Sequence, residues 1–165
     1  MFQKGDYIIY GQIGACVVSD ITTPDFMKDT GKKYYILTPV HQSGQVFVPV
    51  DSDAYMRPVM TEQEALKIID SFPSIASETC KISNMQELNQ YYSKKLRSND
   101  LQTVISLIRT IYEKKQNRLQ NNQKIGSVDE NYMKRAENLI YGELALALGI
   151  EKDAVPSFIE KRLSN

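Results

Sequence analysis

The chain of 165 residues is 42% hydrophobic and 24% charged, an ordinary globular composition that excludes a disordered tail, a collagen-like fibre and a coiled-coil rod. A chain this long buries roughly 70% of its unfolded surface and has room for one ordinary domain or two small ones. Twenty Lys and Arg balance twenty Asp and Glu, yet residues 81–124 hold nine bases against three acids. That local excess suits a polyanion or an acidic protein surface, or simply solvated helix faces.

The longest uncharged apolar run, Leu144 to Ile150, falls far short of the roughly 20 residues that span a bilayer. Lys4 and Asp6 sit where a secretory leader would be apolar, so the expectation is a cytoplasmic protein without membrane contact. Cys16 and Cys80 lack metal-ligand spacing and read as small buried thiols.

The first sixty residues read as strands. Asp6–Tyr10, Ala15–Ile21, Lys33–Val40 and Gln45–Val50 are short and rich in Val, Ile and Tyr, with Gly, Pro, Asp and Ser between them. A fifth short strand is expected near Arg57–Met60. Five short strands in this space suggest a small antiparallel barrel of SH3 or Tudor type, curled so that few edges stay open. Pro49 cannot donate a ladder hydrogen bond, which puts the fourth strand at an edge. Its Val46, Phe47, Val48 and Pro49 then offer a template for a foreign strand. One face of this strand must fill the barrel; with Phe47 inside, Val46 and Val48 form the outward pair.

The remainder reads as helices. Thr61 to Glu64 forms a capping box ahead of Ala65, Leu66, Ile68 and Ile69, and that helix should stop before Pro73. Ser83 to Gln86 reads as a second box, leading to Leu88, Tyr91, Tyr92 and Leu96. Asp100 caps a third helix whose stripe is Leu101, Val104, Ile105, Ile108, Ile111, Tyr112 and Leu119. Ser127 to Glu130 reads as a third box before Tyr132, Ala136, Leu139, Ile140, Leu144, Ala147 and Leu148, with Gly149 as C-cap. A last short helix is expected from about Asp153 to Leu163, with Pro156 in its first turn. The fold class is therefore α+β: a barrel over residues 1–60 and an all-α bundle over 61–165.

Little supports catalysis. His41 is the single histidine, in a turn where a solvated side chain is expected, and no Ser/His/Asp set can be built around it. Gly11 to Gly14 is too sparse to cradle phosphate and no helix follows it. No enzyme, metal or cofactor is expected.

The run Phe2 to Tyr10 followed by Gly11, Gly14, Val17 and Val18, the strands Tyr34–Leu37 and Val46–Val50, and the stretch Ala136 to Gly149 together resemble the CarD family of bacterial transcription regulators, in order over about residues 1–150. The resemblance implies a Tudor-like module that docks on the β subunit of bacterial RNA polymerase through Val46, Phe47, Val48 and Pro49. It also implies a helical domain at the upstream edge of melted promoter DNA, bound weakly and without sequence specificity. Family members place a tryptophan wedge there with basic flanks, a device that fills the gap between unstacked bases. The chain has no Trp. Met85 stands at the wedge position and Glu87, Leu88, Asn89 and Gln90 replace the usual basic and aromatic neighbours. The candidate DNA contacts are Met85, Lys94, Lys95, Arg97 and Lys114. Met85 could equally pack as an ordinary helix-start residue, and the cations could be a solvated helix end favoured by the macrodipole. The expected behaviour is a polymerase-bound monomer that modulates promoter opening. The alternatives are an adapter without DNA contact or an RNA- or ribosome-associated module.

Overall fold

The computed structural model describes all 165 residues. Strands β1 (Tyr7–Tyr10), β2 (Gly14–Thr22), β3 (Tyr34–Pro39), β4 (Val46–Pro49) and β5 (Met56–Pro58) make one antiparallel sheet in the order β4-β3-β2-β1-β5. Helices α1 (Glu62–Ser71), α2 (Met85–Leu96), α3 (Leu101–Gln120), α4 (Ser127–Leu148) and α5 (Val155–Ser164) follow. The α+β class stands, but the expected closed barrel does not: β4 pairs only with β3 and β5 only with β1.

The register supplies the reason. Val50 N–H donates to the Lys33 carbonyl and Val59 N–H to the Tyr7 carbonyl, which fixes the alternation along both edge strands. Pro49 and Pro58 fall at positions whose backbone nitrogens face away from the sheet. Each free margin therefore presents a proline that cannot donate, and closure would lose ladder bonds at both. Within the sheet, β2 carries a bulge at Ser19 between the Val18–Leu37 and Asp20–Ile36 pairs, and the Ser19 and Thr38 hydroxyls bond across it.

The apolar interior has two parts. Ile8, Cys16, Val18, Tyr35, Leu37 and Val48 fill the sheet side. Burial without a compensating partner pushes the Cys16 thiol up to about 11, so it stays a neutral, inert thiol. The larger part lies among the helices, where Ile69, Tyr92, Ile111 and Leu144 are buried side by side.

Local chemistry sets the helix ends. Glu64 N–H donates to Thr61 Oγ1 at 3.1 Å and Thr61 N–H to Glu64 Oε2 at 2.8 Å, the expected capping box, worth about 1 kcal/mol. At α2 the cap is Asn84 rather than Ser83, because its Oδ1 accepts from both Gln86 and Glu87 N–H. Helix α4 starts after Gly126, whose N–H donates back to Asp129 Oδ2 at 3.2 Å. It closes on Gly149 at φ 67°, a left-handed turn that glycine takes without strain. The α3 stripe departs from expectation at its far end, where Tyr112 and Leu119 are exposed. Twenty residues make α3 about 30 Å long, well beyond the twelve-residue α2 beside it, so α2 leaves its far end uncovered and only the side of Lys114 meets the start of α4 at Asp129.

Sheet and helices meet along α4. A Cβ on Gly14, held at φ 86°, would lie 3.1 Å from Leu139 Cδ2, and one on Gly142 would lie 2.9 Å from His41 Cδ2. Both glycines permit close backbone approach. His41 is exposed as expected, but it is not idle: its Nε2–H donates to the Gly142 carbonyl at 2.9 Å.

Candidate functional site

Strand β4 forms one margin of the sheet. Its Val46, Val48 and Val50 turn their backbone groups to β3, while Phe47 turns its N–H and C=O outward. No backbone hydrogen bond outside the β3–β4 ladder engages Phe47. The Pro49 carbonyl accepts from Ser52 N–H at 3.0 Å, so the open stretch is short and centred on one residue. The side chains alternate with it. Val48 is 2% exposed and Phe47 37% exposed, so Phe47 does not fill the core and the outward Val46–Val48 pair is overturned. Valine fits the tightly packed sheet interior, and the benzyl group takes the other face. There it meets Phe26, 67% exposed on the 3-10 turn Asp25–Thr30, edge to face at 5.2 Å. An unpaired peptide group flanked by two solvent-facing aromatic rings can pair with a strand and bury apolar surface at once.

The helical candidates are scattered. Met85 is 65% exposed at the first position of α2. Lys94 and Arg97 lie near the other end of that helix and are exposed. Nine residues separate Met85 from Lys94, about two and a half turns, so the two point to opposite sides about 13 Å apart along the axis. Lys95 is bound to Glu78 at 2.7 Å and lies over the Tyr91 ring. Lys114 is mostly buried and paired with Asp129 at 2.9 Å. Other bases of the segment also hold structure: Arg109 Nη1 donates to the carbonyls of Phe72, Pro73 and Ile75. The positive excess thus does not gather into one footprint around Met85.

Residues 2–60 match the family model of the CarD-like/TRCF RID domain. The chain carries a CarD-like domain. The match begins before β1 and ends two residues after β5, so it spans the sheet and its two margins and leaves α1–α5 outside. No curated protein matches the chain. A CarD-like/TRCF RID domain is an RNA polymerase-interacting module, which supports a polymerase-associated factor. No helix is long and apolar enough to cross a membrane.

Two acids escaped the reading of the residues. Glu143, 2% exposed, receives Arg57 Nη1 and Nη2, each at 2.6 Å, and Met60 N–H at 2.9 Å. It therefore joins α4 to the end of the CarD-like domain, and its carboxylate raises the already high pKa of Arg57. Asp129, also 2% exposed, accepts from Tyr92 Oη at 2.6 Å and Lys114 Nζ at 2.9 Å. Burial drives its carboxyl up, but the Tyr92 and Lys114 donors, the Lys114 charge and Gly126 N–H outweigh that and hold it below the usual range. The same burial and the Asp129 bond push the Tyr92 hydroxyl well above its ordinary value. The signal for Glu143 was present: it lies three residues after Ile140, on the inward stripe of α4, where an unpaired acid is costly.

Proposed function

We propose that the protein binds the β subunit of RNA polymerase by adding a partner strand to β4, and that its helices then act on the opening of promoter DNA. In this reading residues 1–60 recruit the polymerase and residues 61–165 face the nucleic acid. The observation that carries it is the outward, unengaged peptide group of Phe47 beside the Phe26 ring. Val46 and Val48 set the strand's register from beneath, and Pro49 ends the pairing stretch.

Phe47→Pro removes the outward N–H without touching a β3–β4 hydrogen bond. With the full chain and a β-lobe fragment, this variant should bind at least about fivefold more weakly, since one unmade backbone bond with its partner stranded costs about 1–3 kcal/mol. Phe47→Ala keeps the N–H and should lose less. Equal binding by wild type and Phe47→Pro in a titration would remove strand addition as the mode of docking.

For DNA, the residues free to act are Met85, Lys94 and Arg97. Lys95 and Lys114 would have to leave carboxylate partners first, which favours the adapter reading in which the helices do not touch DNA. A forked promoter duplex decides between them. Modulation by contact predicts salt-sensitive binding that falls at least threefold in a Lys94→Glu, Arg97→Glu variant, because each phosphate contact steepens the salt dependence. Absence of binding to the fork supports the adapter.

A further inference from the structure

Five cations of this protein rest on acids, Lys28 on Asp25, Arg57 on Glu143, Lys95 on Glu78, Lys114 on Asp129 and Arg162 on Asp70, and Arg97, Arg109 and Arg118 rest on backbone carbonyls. One cluster rests on neither. Between the β1–β2 turn, the end of β3 and α4 lies a cleft of about 400 Å³. Its lining includes Arg135, Lys152 and His41 and the carboxamides of Gln12, Gln42 and Asn138, and contains no carboxylate.

Each of the two permanent charges is held on a neutral partner. Arg135 Nη2 donates to Gln12 Oε1 at 3.3 Å, and its guanidinium lies 4.7 Å from the centre of the Tyr132 ring. The ring holds the guanidinium by a cation–π contact and leaves further N–H groups to serve a ligand. Lys152 Nζ donates to Asn138 Oδ1 at 2.8 Å, one turn of α4 beyond Arg135. His41 is steadied at the rim by its bond to Gly142. The floor is apolar, formed by Ile13, Ala15, Pro39, Leu96 and Leu139.

We propose that this cleft binds a small organic phosphate. A forked guanidinium and an ammonium on one wall match the oxygens of a phosphate, for which a planar bidentate donor is well shaped. The carboxamides add neutral donors and acceptors for sugar or base polar groups. The apolar floor and the volume, which lies in the range of small-molecule sites, call for more than an inorganic ion. The ligand bridges β1–β2 and α4, so occupancy ties the polymerase-interacting sheet to the helices. This site is separate from β4 and does not rest on the strand-addition reading.

The test is calorimetric titration of the full chain with AMP and ribose 5-phosphate, with adenosine and ribose as phosphate-free controls and a short DNA duplex as the other source of phosphate. The phosphorylated probes should bind and the controls should not. Arg135→Ala and Lys152→Ala, both on accessible surface, should each weaken binding at least tenfold while circular dichroism stays unchanged. Phe47→Pro should bind the probes normally. The proposal is overturned if neither phosphorylated probe binds, if binding survives the double alanine variant, or if only the duplex competes for Arg135 and Lys152.

Discussion

Glu143→Ala lowers the free energy of unfolding by about 3–5 kcal/mol, the range found when one partner of a buried ion pair is removed. The cause is local. The wild-type carboxylate takes two guanidinium N–H groups from Arg57 and one backbone N–H from Met60. Alanine leaves Arg57 Nη2 and the Met60 N–H without an acceptor and Nη1 with only the Pro58 carbonyl, and the Arg57 side chain is only 27% exposed, so water replaces little of what is lost. For a chain of this size the loss appears in thermal unfolding as a drop on the order of 10 °C. Glu143→Gln keeps one acceptor oxygen for Met60 or Arg57 and should fall between the two. Arg57→Met with Glu143→Leu should recover much of the deficit, because neither charge is then stranded, though Met60 N–H remains unpaired. Urea denaturation of the four proteins checks the order. An unchanged midpoint in Glu143→Ala would mean that the Leu139 packing and the His41–Gly142 hydrogen bond join the sheet to α4 without it.

The legibility of the fold followed the range of each interaction. The Thr61–Glu64 box and the Gly149 turn involve neighbours in sequence, and their residue types name the geometry. The buried stripe of Leu88, Tyr92 and Leu96 follows from spacing alone. The edge position of β4 follows from Pro49, whose chemistry forbids a central strand. The face of Phe47 did not follow, because Val-Phe-Val is apolar on both sides of the pleat and alternation carries no sign there. Closure of the sheet was not legible either, since it depends on whether two margins some ten residues apart can pair, and the outward prolines prevent it. The ion pairs of Glu143 and Asp129 reach 86 and 15 residues back along the chain. An acid gives no hint of such a partner except by standing on an inward stripe. For the candidate site, the strand was readable and its one open peptide group required the register.

Asp129→Asn should destabilise the protein at neutral pH and hardly at all in acid. The carboxylate gathers Tyr92 from α2, Lys114 from α3 and the start of α4, so it fastens three helices at one point. Its pKa in the folded protein is below the ordinary carboxylate value. A group depressed on folding contributes stability that is fully present above its unfolded pKa of about 3.9 and is lost as pH falls through the folded value. Asparagine cannot ionise; with its oxygen kept on Tyr92 and Lys114 its NH₂ group opposes the Gly126 N–H, and the buried cation is left without a counter-charge. The expected cost at pH 7 is about 2–4 kcal/mol. As pH falls through that folded value the wild-type carboxyl is protonated and gives up its charge, so the two unfolding curves converge. Asp70 and Glu78 are also depressed, through Arg162 and Lys95, and they remain in both proteins, so the difference between the curves isolates Asp129. Urea midpoints measured at pH 7 and pH 2.5 provide the comparison. A gap of equal size at both values would show that Asp129 acts by shape and hydrogen bonding rather than by its charge.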